Sequence, residues 1–151
     1  MKSLKLFSRY SITYFMRQNI STGSTWESEV GYSRLVKSGH LIFVSGTTSV
    51  DEEGNIVGLG DSYEQTKYVI QKIHMVLRKV NANLSDITRT RIFTTRIDDW
   101  RHIGRAHAEY FKEIRPVTTM IEVKRLIQPE LLVEIEVDAV LTETDNNKQC
   151  S

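Results

Sequence analysis

The sequence predicts an α+β domain, and three observations lead there. Short apolar, β-branched runs alternate with two longer stretches of helical periodicity. The chain has 151 residues, enough for one buried core and not comfortably enough for two. Its composition, 40% hydrophobic and 26% charged, is that of an ordinary folded soluble chain and excludes disordered and fibrous classes.

Met1 to Arg17 carries Lys2, Lys5, Arg9 and Arg17 with several serines and no acidic residue. That composition fits a transit segment, but it fits equally a disordered extension or an upstream start with Met16 as the true first residue, which we favour. Domain boundaries are therefore set at 1–16 for the extension, 17–141 for the folded domain and 142–151 for a polar tail. Tyr32 to Lys37 and Leu41 to Ser45 read as strands joined at Ser38-Gly39, a hairpin signal. Glu53-Gly54-Asn55 marks a turn before Ile56-Val57. Asp61 is placed to cap a helix, with Glu64 three residues on to complete a capping box. In that helix Thr66, Ile70, Ile73, Leu77 and Val80 form one buried stripe, and Asn81 to Asn83 ends it. Ile87 to Ile97 is β-branched and alternating, so a strand is expected. Asp98 or Asp99 opens a second helix with Trp100, Ile103, His107, Tyr110 and Ile114 on one stripe, stopped by Pro116. Thr118 to Val123 and Leu131 to Leu141 are the last strands.

Charge and cysteine content narrow the function classes. Twenty basic residues face 19 acidic ones, a net charge of +1, which argues against a protein that grips phosphate backbones. Arg89, Arg91 and Arg96 lie at mixed parity in one strand without interleaved aromatics, so a charge-balanced strand is preferred to an RNA surface. The single cysteine, Cys150, supports neither a disulfide framework nor a cysteine metal site within the chain. His40, His74, His102 and His107 show no paired metal-ligand spacing, so no metal is expected. No membrane span is expected either. The expected compartment is the cytoplasm, or the mitochondrion if residues 1–16 are a transit segment.

The last strand holds the most informative pattern. Val133, Ile135, Val137, Ala139 and Leu141 lie on one face, and Glu134, Glu136 and Asp138 on the other. Three carboxylates on one strand face repel one another unless water or cations meet them. A solvated sheet face is the plain explanation; a carboxylate in a cleft, acting as base or holding a water, is the functional one. Spacing does not choose between them. Gly46-Thr47-Thr48 after a strand is a plain turn or an anion-binding loop. His107, on an apolar stripe, is a hydrogen-bonded core histidine or a catalytic one.

Gly31-Tyr32-Ser33, Leu41-Ile42-Phe43-Val44-Ser45-Gly46, Gly60-Asp61 with Gln65-Thr66, Arg115-Pro116, Ile121-Glu122-Val123 and Val133-Glu134-Ile135-Glu136 together resemble the RidA/YjgF/L-PSP family, from about Gly31 to Val140. The resemblance implies a chorismate-mutase-like fold, one mixed sheet with two helices packed on one face. It also implies a homotrimer with a small-molecule cleft at each subunit interface. The implied activity is hydrolysis of reactive enamines or imines, such as 2-aminoacrylate, to a keto acid and ammonia, without cofactor or metal. By the same resemblance Tyr32 is the aromatic reaching in from a neighbouring subunit. Ser45 and Gly46 are the strand-end pair facing the ligand, and Glu134 holds the attacking water. The family's substrate-binding arginine is Thr118 here, its following cysteine is Met120, and its helix asparagine and tyrosine are Gly104 and His107. A hydroxyl does not replace a planar guanidinium, and losing such a charge-assisted pair costs roughly 1.5–3 kcal/mol of binding. Three functions follow: an enamine or imine deaminase using Glu134 with Thr118 or His107, a small-molecule binder or regulatory trimer without turnover, and an RNA-directed ribonuclease, which the charge disfavours.

Overall fold

Alternation and helical periodicity are realised as nine elements in a computed structural model, which describes residues 16–142. They are β1 (Arg17–Ile20), α1 (Thr25–Val30), β2 (Leu35–Ser38), β3 (Leu41–Thr48), α2 (Ser62–Arg78), β4 (Ile87–Thr94), α3 (Trp100–Phe111), β5 (Val117–Glu122) and β6 (Val133–Val140). The strands form one six-stranded sheet in the order β1-β2-β3-β6-β4-β5. All neighbours are antiparallel except β4 and β5, which α3 connects in parallel, so the sheet is mixed. The expected extension at 1–16, apart from Met16, and the expected tail at 142–151, apart from Thr142, lie outside the described residues.

The helical stripe predicted for α2 is the buried one. Thr66, Val69, Ile70, Ile73 and Leu77 pack with Ile103 and Phe111 of α3 against Ile42, Val44, Ile92, Ile135 and Val137 of the sheet. Asp61 caps α2, its carboxylate accepting from the Tyr63 and Glu64 N–H groups at 2.9 and 3.1 Å. Glu64 does not close the expected box: the Asp61 N–H goes to the Gly58 carbonyl at 3.0 Å, and Glu64 faces Lys67 instead.

Three further expectations are corrected. The strand expected over 87–97 stops at Thr94, whose hydroxyl accepts from the Arg96 N–H and turns the chain toward α3. Trp100 does not join the buried stripe; it is 49% exposed at the first position of α3, with the Arg101 guanidinium over its ring. The helix ends at Phe111, ahead of Pro116, and the chain turns through 112–114 to Arg115, whose N–H goes to the Phe111 carbonyl at 2.8 Å and whose φ is +54°. The sequence reading also missed β1 and α1, both too short to show a period.

The other face of the sheet is covered by neither α2 nor α3. On it lie Leu41, Phe43, Val117 and Ile121, each 46–61% exposed, beside Arg91, Glu134, Glu136 and Asp138. Among the described residues no helix is long and apolar enough to cross a membrane.

Candidate functional site

The identical-looking carboxylates of β6 separate once register is known. The Arg91 guanidinium, opposite on β4, donates to Glu136 at 2.8 Å and to Asp138 at 3.0 Å, and Arg89 stands 3.8 Å from Asp138. Those two acids are neutralised on the sheet surface, as the charge-balanced reading of the arginines expects. Glu134 has no such partner among the described residues. Burial pushes its pKa up; the positive charge of Arg34 pulls it back in part, and the nearby Glu136 adds to the rise.

Glu134 lies against Gly46, and the backbone explains why. Pairing between β3 and β6 slips between Val44 and Thr47: Val44 faces Val137 while Thr47 faces Ile135. Ser45-Gly46 therefore holds one residue more than its partner strand, a β-bulge that turns the Gly46 peptide out of the ladder. A Cβ at position 46 would stand 1.9 Å from Glu134 Oε1. Any larger residue there would displace the Glu134 carboxylate. Gln65 helps set this register: fully buried, its side-chain carbonyl accepts from the Leu132 N–H at 2.8 Å, just before β6 begins.

On the far side of Gly46 stands Arg34. Its Nη1 donates to the Gly46 carbonyl at 2.7 Å and its Nη2 to the Tyr32 hydroxyl at 3.1 Å. The Arg34 carbonyl in turn accepts from the Ser45 N–H at 3.1 Å. Tyr32 is delivered by the end of α1, where Gly31 adopts φ +81° and the Gly31 and Tyr32 N–H groups both go to the Glu27 carbonyl. The Glu27 side chain is 7% exposed, with Oε1 3.9 Å from Arg34 Nε. Burial opposes its charge, but hydrogen bonds from Ser21 and Thr22 and the Arg34 charge outweigh that and hold its pKa down.

Tyr32, Ser45, Gly46 and Glu134 are thus brought together in one chain. Thr118, Met120 and His107 are not part of that group. Thr118 opposes Thr90 and Met120 opposes Ile92, both on the helix side of the sheet. The Thr118 hydroxyl lies 2.9 Å from that of Thr90, which lies 3.0 Å from His107 Nε2. Thr118 also donates to the Pro116 carbonyl at 3.1 Å. His107 rests against the Phe111 ring at 4.5 Å, and burial lowers its pKa to about 4, so it is neutral at physiological pH.

Two site residues escaped the sequence reading, Arg34 and Glu27. The signal for Arg34 was present: a lone cation at the start of the apolar run Leu35-Val36. Glu27, in a six-residue helix without visible period, gave none. Among the described residues no cluster of histidine, cysteine and acidic side chains is arranged to hold a metal ion.

Comparison with known proteins identifies the family to which this fold belongs. Residues 22–141 match the family described as endoribonuclease L-PSP. The chain is 34% identical over 122 residues to an uncharacterised protein of Streptomyces coelicolor, across 81% of this chain and 90% of that protein. It is 34% identical over 104 residues to the 3-aminoacrylate deaminase RutC of Acinetobacter baylyi, across 69% of this chain and 82% of RutC. A solved Mycobacterium tuberculosis protein of the YjgF/YER057c/UK114 family superposes with a TM-score of 0.75 at 45% identity, over 83% of this chain and 100% of that one.

Proposed function

The chain belongs to the YjgF/Rid family, also called L-PSP, and from that premise we propose that it hydrolyses small reactive enamines or imines in a cleft completed by homotrimer formation. The observation that carries the reading is Glu134. It is a half-buried carboxylate with a raised pKa, free of the arginine fork that neutralises Glu136 and Asp138, and set against a glycine that leaves room beside it. A carboxyl group whose pKa is raised above its ordinary value holds a proton to higher pH and so serves more readily as a proton donor to a substrate.

In this reaction protonated Glu134 gives its proton to the enamine, forming an iminium ion. The resulting carboxylate takes a proton from water as the water oxygen bonds to the iminium carbon. The hydroxyl proton of the tetrahedral product then passes to its amine nitrogen, and ammonia leaves as the C–N bond breaks and the C=O bond of a carbonyl compound forms. The deaminase name of the RutC relative supports the same chemistry. The face of the sheet that α2 and α3 leave uncovered, with Leu41 and Phe43 on β3 and Val117 and Ile121 on β5, supports the trimer. A cytoplasmic location belongs to the same reading.

A second reading, ligand binding without turnover, is favoured by Thr118, which has no charge and spends its hydrogen on Pro116. The test is purified protein added to a pyridoxal-phosphate dehydratase that releases 2-aminoacrylate or its homologue, with ammonia formation timed. The deaminase reading expects faster release, lost in Glu134→Gln. Binding of keto acid without acceleration moves the assignment to the binder.

A further inference from the structure

We propose that Glu27 is a positioning residue for the reaction: standing behind Arg34, it holds the guanidinium on the Gly46 carbonyl and the Tyr32 hydroxyl and so keeps that cation from closing on Glu134. This rests on Glu134 being the acid of the reaction proposed above.

Glu27 grips the site at two points. Its backbone carbonyl accepts from the Gly31 and Tyr32 N–H groups at 3.1 and 3.0 Å, which fixes the root of the Tyr32 side chain. Its carboxylate lies 3.9 Å from Arg34 Nε, and Arg34 Nη2 donates to the Tyr32 hydroxyl, which fixes the tip. The carboxylate is itself held, since Oε1 accepts from the Thr22 N–H at 3.2 Å and from the Thr22 hydroxyl at 2.9 Å. Burial opposes the Glu27 charge, but hydrogen bonds from Ser21 and Thr22 and the Arg34 cation outweigh it, so the group is ionised at neutral pH. With the Arg34 side chain 16% exposed and that of Glu27 6%, water and salt screen the pair little.

Folding alone does not account for this acid. Glu27 Oε2 is buried without a hydrogen-bond partner among the described residues, which costs free energy. Replacing such a buried ion pair by apolar side chains of like volume is often neutral or stabilising. What the pair supplies is direction. Arg34 Nη1 donates to the Gly46 carbonyl at 2.7 Å, and Glu134 Oε1 lies against the same glycine. One residue separates cation from acid, yet no ion pair joins them among the described residues. Arg91 shows what a closed pair looks like, a fork on Glu136 and Asp138. The same closure of Arg34 on Glu134 would hold Glu134 ionised and withdraw the proton that the reaction spends. The other charges near Glu134 are committed elsewhere. Glu136, two residues along β6, is held by Arg91, and the Lys72 ammonium of α2 donates to the Thr48 and Val50 carbonyls. Burial raises the proton affinity of Glu134, Arg34 lowers it and Glu136 raises it, so Arg34 is the group whose placement decides how much acid remains.

The experiment follows the Glu134 side-chain carboxyl by NMR through a pH titration of the full-length protein carrying isotope-labelled glutamate, the resonance being assigned by its loss in Glu134→Gln. Circular dichroism confirms folding of each variant. We expect the Glu134 midpoint to fall in Glu27→Gln and to rise in Arg34→Gln. In the double variant it should equal that of Arg34→Gln alone, because Glu27 acts through Arg34. Dehydratase-coupled ammonia release should decline at lower pH in Glu27→Gln than in wild type, with kcat at neutral pH reduced by up to about 10²-fold. Glu27→Asp keeps the charge but draws it back from Nε; it moves the midpoint the same way by less, and decides the matter if Glu27→Gln does not fold. Should Arg34→Gln, which strands a buried carboxylate, fail to fold, the double variant replaces it, with a midpoint above that of Glu27→Gln. An unmoved Glu134 midpoint in Glu27→Gln, even with a lowered Tm, makes Glu27 a structural acid and overturns the assignment. A Glu27→Gln shift that persists in full without Arg34 overturns it too. Failure of the catalytic reading looks different: midpoints that move as expected, with no ammonia release above background in the wild type, remove turnover and leave Glu27 holding Arg34.

Discussion

Replacing Gly46 by alanine separates the role of the cleft from that of the fold. The backbone at 46 is not in the left-handed region, so alanine meets no conformational barrier there. The obstacle is Glu134: the new Cβ would stand 1.9 Å from Oε1, 2.9 Å from Cδ and 3.3 Å from Cγ, where ordinary contact begins at 3.4 Å. The carboxylate must therefore retreat by roughly 1.5 Å. Glu134 is the end of a flexible, half-exposed side chain, and moving it off its rotamer costs about 0.5–1.5 kcal/mol. In a chain of this length 1 kcal/mol lowers Tm by about 2–4 °C. Catalysis is far less forgiving, since a misplacement of about 1 Å can cost on the order of 10²-fold. Gly46→Ala should thus lose most ammonia release, or most keto-acid affinity, while melting only a few degrees early. Glu134→Ala removes the atoms that the new methyl meets, so in that background Gly46→Ala should cost almost no stability, a positive coupling in the double-mutant cycle. Wild-type activity in Gly46→Ala, or a stability loss that Glu134→Ala does not relieve, would refute the placement of this carboxylate against this glycine.

His107 has a folded pKa of about 4 against about 6.5 unfolded, so the unfolded chain takes up a proton that the fold refuses. Stability should therefore fall as pH drops from about 6.5 toward 4, and His107→Gln should flatten that slope in melting curves taken across the range. Thr118→Val removes one hydroxyl from the Thr90 chain and should cost about 0.5–1.5 kcal/mol of stability, read by denaturant unfolding. Ile121→Asp puts a charge on the uncovered sheet face at a residue that is 46% exposed; light scattering should show the assembly shift to monomer mass while cooperative melting persists.

Much of the fold was legible because its signals are periodic. α2 announced itself through Thr66, Ile70, Ile73 and Leu77, and β6 through strict alternation. Elements of four to six residues, β1 and α1, span too few repeats to carry a period, and with α1 went Glu27. The site was legible in part. Alternation placed Glu134, Glu136 and Asp138 on one face but made them equivalent. What distinguishes them is register across β4, where Arg91 meets two of the three, and a one-residue bulge in β3, where Gly46 meets the third. Neither is a property of β6 itself. Arg34 was hidden for the converse reason: its neighbours in sequence describe an ordinary strand, and its meaning comes from Gly46, twelve residues away.

The Thr118 hydroxyl is already engaged on the helix side of the sheet, lying 3.1 Å from the Pro116 carbonyl and 2.9 Å from the Thr90 hydroxyl. The Thr90 hydroxyl in turn hydrogen-bonds His107 Nε2 at 3.0 Å, and burial keeps that imidazole neutral. The charge that an anionic ligand needs therefore does not come from this end of the sheet in one chain. It is available at the other end, where α1, β2 and β3 bring Glu27, Arg34 and Gly46 into line with Glu134. Cation and acid are divided there by a single glycine.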